Sequence, residues 1–119
     1  KRLIKKKNIK VYTMHDIDRL GMAQIIEETI EYFKSKKVDG VHLSFDLDAL
    51  DPIYAPGVGT PEAGGVTYRE SHLAMEMLAE ANIITSAEFV EVNPILDERN
   101  KTAEVAVDLM GSLFGKSIL

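Results

Sequence analysis

Val41-His42-Leu43-Ser44-Phe45-Asp46-Leu47-Asp48-Ala49-Leu50-Asp51-Pro52 is an apolar run that ends in two carboxylates two residues apart, with a turn directly after them. Side chains two apart in a strand share a face. Asp46 and Asp48 are therefore expected side by side at the carboxyl end of a buried strand. Ligands collect at that edge of an open α/β sheet. Two neighbouring carboxylates repel each other unless a proton, a cation or a basic side chain intervenes. A hard divalent cation resolves the conflict most simply, because magnesium, calcium and manganese take oxygen ligands.

Working outward, Ile9–Met14 reads as a short strand, with Val11, Tyr12 and Thr13 favouring extension. A helix is expected over Ile17–Lys36, where Met22, Ile25, Ile26, Thr29, Ile30 and Phe33 recur at three- and four-residue steps. Asp16 or Asp18 is its expected cap. Asp39-Gly40 makes a turn into Val41–Phe45, a run apolar enough to be covered on both faces. Residues 47–66 form a long loop rich in proline and glycine, and long ordered loops are usually functional. Thr67 and Glu70 have capping-box spacing, opening a helix to about Ala81 that buries Leu73, Met77 and Leu78. Ile83–Val92 is a third strand, stopped by Asn93-Pro94. A last helix spans about Lys101 to Phe114, with Val105, Leu109 and Leu113 on one stripe. Three strand–helix units call for an α/β fold with a parallel sheet and helices on its faces. Three strands alone leave edges open, so a piece of a larger sheet is expected.

The 119 residues fit one domain, and 45% hydrophobic content supplies a core. A net charge of −5 argues against a nucleic-acid partner. The absence of cysteine excludes thiolate chemistry and fits a reducing cytosol. No apolar run approaches the roughly 20 residues of a membrane helix, and no signal-peptide pattern opens the chain. Lys1–Asn8 reads as the tail of a helix, its lysines complementing the dipole and Asn8 at the stop. The chain is thus expected to begin partway through a larger fold.

Glu91 stands near the carboxyl end of the third strand, at the same sheet edge as the Asp pair. There it can hold a cationic group, a guanidinium suiting it by bidentate geometry, or simply be a solvated charge. Thr60, in Gly57-Val58-Gly59-Thr60-Pro61, is either a ligand-touching hydroxyl or a turn former. Glu62 reads equally well as loop surface. His15, His42 and His72 lack ligand spacing and read as structural or surface residues. Met75, Met77 and Met110 read as helix packing.

An Asp-x-Asp after a first strand also occurs in the magnesium-dependent haloacid-dehalogenase phosphatases. Those proteins usually continue with Gly-Thr, where this chain has Ala49-Leu50-Asp51-Pro52. A fuller match lies elsewhere. Ser44-Phe-Asp46-Leu-Asp48-Ala-Leu-Asp51-Pro52, then Ala55-Pro-Gly-Val-Gly-Thr60-Pro, Gly64-Gly-Val-Thr-Tyr-Arg-Glu70 and Glu91-Val-Asn-Pro94 follow one another in an order that resembles the ureohydrolases, the arginase and agmatinase family. Glu91-Val-Asn-Pro94 with Ile95–Thr102 is similar to bacterial arginases in particular. The likeness runs from about Ile9 to the end and corresponds to the carboxyl-terminal part of a single arginase-like domain, here residues 1–119.

The resemblance implies a three-layer α/β/α fold with a parallel sheet and a dinuclear manganese site. By motif position, Asp46 would bridge both ions and Asp48 would bind one, while Glu91 would hold the substrate guanidinium and Thr60 would line the pocket. It implies hydrolysis of L-arginine to L-ornithine and urea by metal-activated water, in a cytoplasmic homo-oligomer, a trimer or hexamer. Arg69 and Glu70 match a segment used in subunit contacts. The family's histidine and Asp-x-His-x-Asp ligands, and the histidine assigned proton transfer, have no counterpart in this sequence. The 119 residues alone are therefore expected to be inactive. Ala49 stands where arginases usually have Gly, and Gly59-Thr-Pro-Glu62-Ala-Gly-Gly65 looks more like agmatinases, which keeps agmatine as an alternative substrate. A purely assembling, non-catalytic role is the third alternative.

Overall fold

A computed structural model describes residues 2–7 and 9–118. The central apolar run forms strand β1, Val41–Asp46, which pairs in parallel with β2, Ile84–Val90. Phe45 lies opposite Phe89 and Asp46 opposite Val90, so both strands end at the same sheet edge. Helices α1 (Arg2–Lys7), α2 (Met14–Leu20) and α3 (Met22–Lys36) precede β1; α4 (Tyr68–Ala81) lies between the strands and α5 (Lys101–Leu113) follows β2. The α/β class and the parallel pairing follow the sequence expectation, and α1 occupies the expected helix tail. The expected helix stop at Asn8 lies outside the described residues.

The strand expected over Ile9–Met14 does not form. Among the described residues its backbone has no ladder partner, and an isolated extended segment gains little. Thr13 instead caps α2 in a box with Asp16, whose Oδ2 accepts from the Thr13 amide at 2.7 Å while Thr13 Oγ1 accepts from the Asp16 amide at 3.3 Å. Tyr12 tethers the segment to α3 through a 2.6 Å bond from its hydroxyl to Glu28. The single helix expected over Ile17–Lys36 is also two helices, because Gly21 at φ +81° ends one and begins the next. That left-handed backbone is open to glycine and costly to other residues.

The Thr67–Glu70 capping box forms as read. Leu78 of α4 is buried as expected, whereas Met75, Ala74 and His72 are more buried than Leu73 and Met77. Leu47, Leu50, Val58, Met75 and Leu109, each at most 2% exposed, centre the core. Burying one such leucine contributes roughly 1.5–3 kcal/mol. The sheet is not covered on both faces as expected: Leu43, Phe45 and Phe89 pack against the core, while His42, Ser44, Ser86 and Glu88 lie on the other, more open side. These four are joined by bonds from His42 to Ser86 (2.8 Å) and from Ser44 to Glu88 (2.9 Å).

The loop after β1 is tightly closed. The Val66 amide donates to Ala49 O at 2.9 Å and the Asp51 amide to Val66 O at 3.0 Å. Asp51 accepts from the amides of Ile53 (3.0 Å) and Gly64 (2.9 Å), which hold its carboxyl below the usual range. Gly65 stands so close to this crossing that an added methyl would come within 2.7 Å of backbone atoms of Ala49, Leu50 and Asp51. The two ends of the loop are thereby pinned together, directly after the two carboxylates.

Candidate metal and substrate site

Asp46 is the last residue of β1, but Asp48 is not in a strand. It sits in a 3-10 turn, Leu47–Ala49. Three residues per turn puts Leu47 and Leu50 on one side. Both are buried, at 0% and 1% exposure, and they anchor the turn so that Asp48 stands out of the core. The expected side-by-side placement is reached by this turn rather than by strand alternation. The Asp48 amide donates to Asp46 Oδ1 at 3.0 Å. Burial raises the Asp46 carboxyl above its usual range; the Asp48 amide opposes the rise and the Asp48 carboxylate adds to it. The ion pairs among the described residues, His42–Glu88 and Lys116–Asp108, leave both carboxylates without a basic partner.

Thr60 belongs to the same constellation. Its hydroxyl donates to Asp48 Oδ2 at 2.7 Å, so it is more than a turn former. Glu91 follows β2 directly. Strict alternation would send it to the face opposite Val90 and its register partner Asp46, but its φ of +70° breaks the strand there. A methyl built on Gly59 would stand 3.8 Å from Glu91 Oε2, which places the carboxylate beside the Thr60 loop. A left-handed glutamate costs on the order of 1–2 kcal/mol, and such strain tends to persist at functional positions. Glu62 is exposed loop surface.

The histidines stand apart from this cluster's bonds. His15 is exposed on α2 rather than following a strand, and His42 is on the exposed sheet face. His72 is buried between α4 and α5, with Nδ1 at 2.8 Å from Ser112 Oγ, and burial lowers its pKa. Glu70 spends its carboxylate on the Thr67 cap, and Arg69 is exposed.

Asp97 and Thr102 lie within the Ile95–Thr102 stretch similar to bacterial arginases, but the sequence assigns neither a structural role, and Asp97 caps α5. Asn100, immediately before α5, is left-handed and makes no side-chain cap. Asp97 reaches over from three residues earlier and accepts from the amides of Thr102 (3.0 and 3.1 Å) and Ala103 (3.2 Å). Burial pushes its carboxyl up, but the bonds from Thr102, Ala103 and Glu98 outweigh burial and leave it lowered. A lowered carboxyl stabilises the fold above its unfolded pKa, and that contribution is lost as pH falls through the folded value. Asp97→Ala is thus expected to speed exchange of the Thr102 and Ala103 amides at pH 7 by an amount equivalent to about 1–2 kcal/mol of local capping. After correction for intrinsic rates the difference should shrink at acidic pH, below the ordinary carboxylate range. An equal difference at both pH values would contradict this role.

The donors are all oxygen, and an uncompensated, partly desolvated carboxylate pair suits a hard cation in kind. It does not suffice in number: among the described residues no group of three or more His, Cys, Asp or Glu converges to hold a metal ion. The carboxyl edge of the parallel sheet thus gathers Asp46, Asp48, Thr60 and Glu91 in an α/β chain. The family model described as the arginase family matches residues 1–115, and the chain belongs to that family. It is 73% identical over all 119 residues to the arginase of Bacillus caldovelox, covering 40% of that protein, and 66% identical to the arginase of Bacillus subtilis strain 168, again covering 40%. The chain thus spans about two-fifths of the length of these curated relatives. The crystal structure of the B. caldovelox arginase superimposes with a TM-score of 0.94 over 99% of this chain and 39% of that one. The agmatine ureohydrolase of Thermoplasma volcanium, 29% identical, gives a TM-score of 0.72 over 87% of this chain and 32% of that one.

Proposed function

We propose that these 119 residues are the carboxyl-terminal portion of a cytoplasmic, homo-oligomeric arginase-type ureohydrolase that hydrolyses L-arginine to L-ornithine and urea. Asp46 and Asp48 would hold manganese, with the remaining ligands supplied from outside these residues. The bound metal would supply water of lowered pKa at neutral pH. Thr60 orients Asp48 through its 2.7 Å bond. Glu91 holds the guanidinium by charge-assisted, bidentate hydrogen bonding, which keeps the scissile carbon in place while its C–N bond breaks and a water oxygen is added. The observation that carries the reading is the convergence of the Asp46–Asp48 pair, Thr60 and Glu91 on one sheet edge in a chain 73% identical to an arginase.

Arginine is preferred over agmatine because the two Bacillus proteins named arginase are 73% and 66% identical, against 29% for the agmatine ureohydrolase. The arginase-length polypeptide carrying this sequence, loaded with manganese, is expected to favour arginine over agmatine by at least about tenfold in kcat/KM. Preference for agmatine would overturn the substrate assignment. Two carboxylates leave a dinuclear site short of ligands, so the isolated 119 residues should release no urea. Urea release by them would contradict the division of ligands.

A further inference from the structure

We propose that Thr102 is a positioning residue for the site: its hydroxyl ties helix α5 to Gly57, and through Gly57 sets where the Thr60 loop and Glu91 stand relative to each other. This rests on the functional reading above. Thr102 is fully buried, and its Oγ1 accepts the Gly57 amide at 2.7 Å. Gly57 in turn accepts the Asn93 amide on its carbonyl at 2.8 Å. Gly57 is thus held on both sides, three residues before Thr60, while Asn93 lies two residues after Glu91. Asp97 completes the relay by accepting the Thr102 amide on both oxygens. Ala55, Gly57 and Val58 are buried, so the Gly57 amide has little access to water as a replacement acceptor.

Valine matches threonine in shape but offers Gly57 no oxygen. Thr102→Val should leave α5 packed and let the 56–60 segment move. A displacement of about 1 Å at a reacting group can cost about a hundredfold in rate. The test uses the manganese-loaded, arginase-length polypeptide and compares Thr102→Val, Thr102→Ala and Thr102→Ser with Val105→Ala, a buried change on the same helix. Thr102→Val and Thr102→Ala are expected to lower kcat/KM for arginine at least about tenfold, mainly through KM. Thr102→Ser, which restores the hydroxyl, should stay within about threefold of the parent, and Val105→Ala within about twofold despite a lower melting temperature.

Hydrogen exchange at the Gly57 and Asn93 amides should accelerate in the Val and Ala variants of Thr102 and not in the other two proteins. Parental KM and kcat in Thr102→Val, or unchanged exchange at Gly57, would overturn the proposal. Failure of the parent to hydrolyse arginine would sink the functional reading instead, and the exchange comparison would still decide whether Thr102 holds Gly57.

Discussion

Asp46→Asn, made in the arginase-length polypeptide, is expected to cut manganese-dependent arginine hydrolysis by about a thousandfold, equivalent to about 4 kcal/mol of transition-state stabilisation, and to lower the bound manganese per subunit. The substitution isolates charge from architecture. Asparagine keeps an oxygen for the Asp48 amide, which now donates to Asp46 Oδ1 at 3.0 Å, so the 3-10 turn should persist on its buried leucines. What disappears is the negative charge that the pair offers a cation. Asp46 already sits where burial and the neighbouring carboxylate disfavour ionisation, so removing its charge relieves the metal-free protein while emptying the cage. Melting of the metal-free variant should therefore match or exceed that of the metal-free parent. Metal analysis and turnover are read together: an Asp46→Asn variant with parental manganese content and parental rate would remove Asp46 from the site.

Glu91 gives the second large effect, with the opposite signature. Glu91→Gln should lower kcat/KM for arginine by about a hundredfold or more, since losing a charge-assisted, bidentate partner costs about 3 kcal/mol. Manganese content should not change, because Glu91 is assigned to substrate rather than metal. Glu91→Gly adds a test that contacts alone do not suggest. The residue holds φ +70°, a region that glycine enters without steric cost. Glycine there should abolish turnover yet leave the melting temperature equal or higher, a trade of stability against activity. A clear fall in melting temperature, or loss of metal in either variant, would show that Glu91 serves the fold or the metal instead.

Local rules carry much of this structure. Thr67 and Glu70 announce the start of α4 by spacing alone, and the runs Val41–Phe45 and Ile83–Val92 announce the paired strands, which form as Val41–Asp46 and Ile84–Val90. Expectation and structure part where two local signals compete. Val11-Tyr12-Thr13 favours extension, but Thr13 and Asp16 make a capping box, and the box wins because a lone extended segment has no ladder to join. Gly21 sits inside an unbroken helical periodicity, which hides the positive φ that divides it. The candidate site's members are legible, since Asp46, Asp48, Thr60 and Glu91 do lie together at one edge. Its construction is not. The 3-10 turn depends on Leu47 and Leu50 sharing a buried side, and Glu91 is re-aimed by a backbone angle that side-chain alternation does not encode. The Asp97–Thr102–Gly57 relay includes a bond between residues 45 apart and has no periodic signature at all.

The most direct test is anomalous diffraction at the manganese edge from crystals of the arginase-length polypeptide. Two peaks are expected at the end of β1, both within coordination distance of Asp46 and one of them also of Asp48, with Glu91 free of metal. Anomalous density absent from the end of β1, or centred on other side chains with Asp46 and Asp48 unligated, would contradict the account.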